Sequence, residues 1–169
     1  MFKNKVYLSI GSNIGDKESN IASSIAMLGS YIEISNIKSS SFYNTEPLYN
    51  ENQPSFLNIV LELETTLTPF QLLDKIHEIE KMLGREEKRL KNQPRTIDID
   101  IIIFKNSFID TPDLQIPHPG ALFRKFVLIP LSELASDEIF PKTNIKIVDL
   151  LEKCPDTSVV KKYIIDKKA

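Results

Sequence analysis

A single cysteine, Cys154, leaves no partner for an intramolecular disulfide and rules out a cluster of thiolate metal ligands, which fits a reducing compartment. No nucleophile-activating arrangement surrounds it in sequence, so it reads as a packing or surface thiol. Long apolar runs are missing as well. Stretches such as Ile101 to Phe104 are far too short to cross a bilayer, and no charged-then-apolar leader opens the chain, so a cytosolic location is expected. Nor does either sign of charge dominate: a net charge of -2 and a pI of about 5.8 supply no general attraction for nucleic acid or anionic membrane. Any affinity for phosphate must be local. A Walker-type phosphate loop is absent too, because Gly11 and Gly15 precede Lys17 with a spacing one residue short and Glu18 stands where Ser or Thr would ligate magnesium.

What is present is an ordinary soluble composition, 41% hydrophobic and 26% charged, in a chain of 169 residues, the size of one compact domain spanning 1–169. Val6, Leu8 and Ile10 alternate with Tyr7 and Ser9 as in a strand with one buried face, ending at Gly11-Ser12-Asn13. From the N-cap Asp16, the spacing of Ile21, Ala22, Ile25, Ala26 and Leu28 predicts a helix that Gly29 terminates. Alternation resumes at Ile32, Ile34 and Ile37 and carries a second strand towards Phe42 and Tyr43. A polar loop with Pro47 follows, and then a strand with Leu57, Ile59, Leu61 and Leu63 on one face and Phe56, Asn58, Val60 and Glu62 on the other. Thr68-Pro69-Phe70-Gln71 reads as a capping box opening a helix whose stripe is Leu72, Leu73, Ile76, Ile79, Met82 and Leu83. Arg85 to Gln93 is a charged loop without periodicity, expected to be mobile until ligands order it. Ile97 to Phe104 is an apolar, β-branched run expected to be a central strand. This order predicts an α+β fold, a ferredoxin-like βαββαβ sandwich with helices on one face of an antiparallel sheet. The proline-rich remainder is expected to add short helices and edge strands.

Asp98 and Asp100 stand two apart on the last of those strands, so both carboxylates project from one face while Ile99, Ile101 and Ile103 pack the other. Two like charges held side by side call for a cation, and hard oxygen ligands favour Mg²⁺ in company with substrate phosphates. The alternative is an acidic pair at a strand end, matched with Lys or Arg. Arg95 and the loop residues Arg85, Lys88, Arg89 and Lys91 place cations beside this pair, the combination that phosphoryl transfer uses; a charge run of this kind is also compatible with a plain solvated surface. Phe56 and Asn58 pair a flat apolar surface with a bidentate amide on one strand face, suited to stacking and hydrogen-bonding a heteroaromatic ring, or else to core packing and a ladder end. His118, between Pro117 and Pro119, is placed to donate to a phosphate or to serve as a structural histidine; His77 lies near a helix stripe.

Taken together these residues resemble the 6-hydroxymethyl-7,8-dihydropterin pyrophosphokinase family. The string Pro94-Arg95-Thr96-Ile97-Asp98-Ile99-Asp100-Ile101 is similar to that family's signature. Further matches are Ile10-Gly11-Ser12-Asn13, Ser41-Phe42-Tyr43-Asn44-Thr45 with Pro47-Leu48, Gln53-Pro54-Ser55-Phe56-Leu57-Asn58, Glu80 through Gly84-Arg85, Pro117-His118-Pro119, and Arg124-Lys125-Phe126. The resemblance implies a ferredoxin-like monomer that binds magnesium-ATP, then the pterin, and transfers the β,γ-diphosphate to the pterin hydroxymethyl oxygen with release of AMP. It implies two Mg²⁺ on Asp98 and Asp100, Asn58 bonded to the pterin, Phe56 and Phe126 enclosing the ring, and backbone groups from Thr45 and Leu48. Arg85, Arg95, His118 and Arg124 are implied as contacts to ATP phosphates or ribose, with Glu80 and His77 on the nucleotide side. Segments Glu46 to Ser55 and Glu86 to Asn92 correspond to loops that close over the reactants.

The chain departs from the family pattern at Asn92-Gln93, where some members carry an aromatic and a small residue. It departs also at Asp113 and Pro119, where some carry an arginine and a tyrosine, and at Glu46, which replaces a proline. Two other classes share part of this pattern. Nucleotidyl transferases share a Gly-Ser turn and paired acids, but their acids follow the turn after about a dozen residues, whereas Asp98 is far downstream of Gly11-Ser12. A ferredoxin-like RNA-binding module is opposed by the acidic pI and the lack of an aromatic-glycine signature.

Overall fold

A computed structural model describes residues 2–47, 52–85 and 94–166. β1 (Asn4–Ser12) lies at the centre of a sheet, paired antiparallel with β4 (Phe56–Thr65) on one side and β5 (Asp98–Phe104) on the other. Beyond β4 come β2 (Ile34–Ser39) and β3 (Phe42–Thr45), and β8 (Val160–Tyr163) extends the edge past β3. The core order β5-β1-β4 with β2 and β3 beside β4 is the ferredoxin-like arrangement expected. The second strand is broken in two at Ser40 and Ser41, β2 itself is bulged where Asn36, at φ 53, meets a shift in the β2–β4 register, and Ile32, expected inside, is 96% exposed.

α1 (Lys17–Gly29) and α2 (Pro69–Met82) cover one face. Asp16 caps α1 by accepting from the Ser19 amide at 3.1 Å. The capping box on α2 is complete, the Thr68 hydroxyl accepting from the Gln71 amide and the Gln71 side chain from the Thr68 amide. Leu72, Ile76 and Ile79 are buried against Val6, Leu8, Ile10, Ile59 and Leu61, whereas Met82, placed in the stripe by its spacing, is 72% exposed at the helix end. The opposite face is covered as well. α3 (Lys125–Ala135) lays Val127, Leu131 and Ala135 on Tyr7, Val60, Ile102 and Ile103, with α4 (Ile147–Glu152) behind it. Helices therefore occupy both faces, not one, and Tyr7 is buried where one solvent-facing side was expected of β1.

This double cover explains one misplacement. The apolar run of β5 reads as a central strand, yet β5 is the sheet's edge. Its outer side is shielded by the hairpin of β6 (Ile109–Asp110) and β7 (Gln115–Ile116), and the His118 amide donates to the Ile102 carbonyl at 2.9 Å. A register shift opposite Tyr7 and Leu8 also turns the strand, so Ile99 and Ile101 join the first core while Ile102 and Ile103 join the second. Among the described residues no helix is long and apolar enough to cross a membrane.

Candidate active site

Strand register builds the floor of the site. Asp98 on β5 is opposite Gly11 on β1, Gly11 is opposite Asn58 on β4, and Asn58 is opposite Tyr43 on β3. Asp100, Ser9 and Val60 form the next row of the same face. Gly11 is needed here for room: a Cβ at this position would stand 2.5 Å from the Asn58 Oδ1 and 3.7 Å from the Phe56 ring. Asn58 is only 4% exposed, and its Nδ2 donates to the Thr45 hydroxyl at 2.7 Å, which orients the amide. Tyr43 is anchored from the other end, its hydroxyl bonded to Glu133 of α3, which also accepts from the Ser41 amide at 3.0 Å.

Beside this floor stands a cluster of opposed charges. Arg85 Nη1 lies 2.5 Å from Glu80 Oε1 and 2.8 Å from Asp98 Oδ1, and Arg95 Nη1 lies 2.7 Å from Asp98 Oδ2. Glu80, 5% exposed on α2, also accepts from the Ile99 amide at 2.9 Å, satisfying a donor on the edge strand. Asn13, 1% exposed, holds Arg95 from behind: its Oδ1 accepts from the Arg95 amide at 2.8 Å, while its Nδ2 donates to Gln53 Oε1 at 2.9 Å and the Pro54 carbonyl at 3.2 Å. The end of β1 thus ties together two segments far apart in sequence.

Burial pushes the Asp100 carboxyl up to about 7, and the charges of Asp98 and then Glu80 push in the same direction against Arg124 and Arg85. Burial likewise raises Glu80 to about 7, opposed by the Ile99 amide and Arg85 and reinforced by Asp98. Burial lowers His118, and Arg124 lowers it further against the pull of Asp98. The His118 Nδ1 accepts from the Gly120 amide at 3.0 Å, which leaves Nε2 to carry the proton of the neutral ring and to donate it.

These shifts set a pH dependence. Asp100 and Glu80 bind protons more tightly folded than unfolded, so stability present below their unfolded values of 3.8 and 4.5 is lost as pH rises towards 7. Without divalent cation, melting should show a loss on the order of 1–3 kcal/mol between pH 5 and pH 8. Millimolar Mg²⁺ should shrink the difference. A stability that rose over this range in metal-free buffer would contradict the charge arrangement.

Two cavities meet at the cluster. The first is lined by Ser9, Gly11, Thr45, Glu46, Gln53, Phe56, Asn58, Arg95, Arg124 and Phe126. The second is lined by Leu73, His77, Glu80, Asp113, Gln115, His118 and Pro119. Arg85, Asp98 and Asp100 belong to both. Arg124 faces the Phe126 ring, its guanidinium carbon 5.8 Å from the centroid. Every site residue expected from the sequence borders one cavity or the other except Leu48, which lies outside the described residues together with Lys88, Arg89, Lys91, Asn92 and Gln93. Among the described residues no three acidic, histidine or cysteine side chains converge as a closed metal cage. Two carboxylates open to a cavity instead suit an ion that completes its coordination with phosphate and water, as Mg²⁺ does.

Residues 7–136 match the family described as 7,8-dihydro-6-hydroxymethylpterin-pyrophosphokinase. The chain is 41% identical over 131 residues to the 2-amino-4-hydroxy-6-hydroxymethyldihydropteridine pyrophosphokinase of Bacillus subtilis, covering 78% of each. It is 44% identical over 136 residues to the protein of the same name from Aquifex aeolicus, covering 80% of this chain and 83% of that one. It is also 41% identical over 158 residues to the folic acid synthesis protein fol1 of Schizosaccharomyces pombe, covering 93% of this chain but spanning only 21% of that longer protein. Among solved structures, the Plasmodium falciparum HPPK-DHPS wild type with pteroate superposes with a TM-score of 0.72 at 17% identity, over 90% of this chain and 42% of that one, a likeness of fold.

Proposed function

This chain belongs to the 7,8-dihydro-6-hydroxymethylpterin-pyrophosphokinase family, and from that premise we propose how its two cavities divide the reaction. The activity is transfer of diphosphate from ATP to the hydroxymethyl oxygen of 6-hydroxymethyl-7,8-dihydropterin, giving AMP and the pterin diphosphate for folate biosynthesis. The pterin takes the cavity of Phe56, Asn58 and Phe126, and the nucleotide takes the cavity of His77 and His118. The observation that carries this division is that both cavities open onto Asp98, Asp100 and Arg85, so the acceptor oxygen and the β-phosphate approach one another over the paired carboxylates.

Asp98 and Asp100 are the residues that would hold Mg²⁺, two ions by family likeness, and the metal supplies charge neutralisation on the phosphates when bound. The chain's own contribution is positioning. Asp98 holds Arg85 and Arg95 in place before substrate arrives, and phosphate oxygens compete for those guanidiniums once the nucleotide enters. His118 presents its Nε2 proton, and Arg124, lining the first cavity, adds positive charge felt by Asp100 and His118. Leu48 and the segment 86–92 retain the roles expected from the sequence. We take the chain to act as one domain, as a cytoplasmic monomer without nucleic-acid partners.

Purified protein incubated with Mg-ATP should release AMP, and not ADP, only when the pterin is added. ADP formation, or AMP formation indifferent to the pterin, would exclude this reaction. Asn58→Ala separates the two cavities. Removing the amide leaves ring donors and acceptors without partners in a closed site, a loss of about 1–3 kcal/mol, or roughly tenfold to a hundredfold in pterin affinity. Calorimetry with a non-hydrolysable ATP analogue should show nucleotide affinity nearly unchanged; the reverse pattern would move the pterin away from β4.

A further inference from the structure

We propose that Asp156, outside residues 7–136 that match the family model, is a positioning residue for the pterin cavity, acting through the first turn of α3. The proposal rests on the placement of Phe126 against the pterin. Arg124 is the N-cap of α3 and Phe126 lies in its first turn. The first amides of a helix lack intrahelical acceptors and are usually met by a Ser, Thr, Asp or Asn at the N-cap. Arg124 makes no such side-chain bond. Pro130, inside the same helix, has no amide hydrogen to give to the Phe126 carbonyl four residues back. The turn that carries Phe126 is therefore short of local bonds at both its donor and its acceptor positions.

Asp156 supplies a cap from 31 residues downstream: its Oδ2 accepts from the Lys125 amide at 2.9 Å. Its Oδ1 accepts from the Ser158 amide at 2.8 Å, which fixes the carboxylate in the turn that presents it. Burial alone would raise this carboxyl, but the hydrogen bonds from Ser158 and Lys125 outweigh it and hold the group below its ordinary value. A negative charge here also complements the positive end of the helix dipole. The chain then runs straight into β8, whose Val160 is opposite Thr45 on β3. One C-terminal segment thus backs Phe126 from the helix side and Thr45 from the sheet side.

The test compares steady-state kinetics of Asp156→Ala, Asp156→Asn and Phe126→Ala. Asp156→Ala should raise the KM for the pterin roughly fivefold, the scale of a lost cap, with kcat and the KM for ATP within about twofold of the parent. Asp156→Asn keeps an acceptor oxygen and should restore the pterin KM to within about twofold, since Asn caps as well as Asp. Should Asp156→Ala fail to fold, Lys125→Pro removes the same hydrogen bond from the donor side at a position where proline starts helices readily, and the same rise is expected. An unchanged pterin KM in the variant that folds, alongside a raised one in Phe126→Ala, overturns the role of Asp156. Equal increases for ATP and pterin, or an Asn variant no better than Ala, overturn it too. A normal pterin KM in Phe126→Ala would instead remove the placement on which the proposal rests.

Discussion

Asp100→Asn should fold, melt no lower than the parent in metal-free buffer at pH 8, and make AMP at least roughly a thousandfold more slowly. The two halves of that expectation come from one arrangement. Asp100 is half-buried beside Asp98 and Glu80, and its carboxyl is raised by desolvation and then by those two acids, which Arg124 and Arg85 offset only in part. Replacing it with a neutral isostere removes repulsion, so the empty protein gains or holds stability. The same replacement removes a ligand from the pair of carboxylates that both cavities share, and Glu80, the third acid of the cluster, is already engaged by Arg85 and the Ile99 amide. Asp98→Ala should match the loss of turnover but differ in stability. Each Asp98 oxygen holds a guanidinium, Arg85 at 2.8 Å and Arg95 at 2.7 Å, so its removal breaks both charge-assisted bonds. A drop on the order of 1–3 kcal/mol is expected for Asp98→Ala alone. Thermal melts with and without Mg²⁺, set beside AMP release, distinguish the two variants. Turnover within tenfold of the parent in either would take that carboxylate out of the metal site.

Much of this site was legible because its residues carry chemistry in strings that a strand or helix must present together. Asp98-Ile99-Asp100 can only place two carboxylates on one face, and Thr68 through Gln71 can only open a helix. What escaped was whatever depends on elements distant in sequence. The edge position of β5 is invisible in an apolar run, since burial by helices on two faces looks the same as burial between two strands. Gly11 reads as a turn glycine, but its need comes from Asn58, a neighbour only after β1 and β4 pair. Asn13 reads as a turn residue too; its hold on Gln53, Pro54 and Arg95 joins segments 40 and 82 residues away. Glu80 entered through family likeness alone, and the structure supplies the physical reason, an acid buried to bind an arginine and a strand-edge amide at once.

Those supports lead to opposite expectations for the two arginines. Arg95 is fixed through its backbone, its amide donating to the Asn13 side chain and its carbonyl accepting from the Asn13 amide at 3.2 Å. Removing its side chain leaves that anchor intact and gives up only the bond to Asp98, whose charge Arg85 still pairs. Arg95→Ala should therefore fold with little change in melting temperature and bind the pterin within about twofold of the parent, while kcat falls roughly a hundredfold to a thousandfold, because the guanidinium acts on charge in the transferring diphosphate. Arg85 is held through its side chain, between Glu80 and Asp98. Arg85→Ala should lose turnover on the same scale and also lose about 2–4 kcal/mol of stability at neutral pH, because Glu80 is left buried without its cation. The double variant Glu80→Gln with Arg85→Ala isolates that cause: the amide still accepts from Ile99 but carries no charge, so stability should recover while turnover stays low. Single-turnover AMP formation, pterin calorimetry and melts on the four proteins read all three quantities. Recovery of turnover in the double variant, or a pterin defect in Arg95→Ala with a normal single-turnover rate, would mean that these arginines hold the site together rather than act on the phosphates.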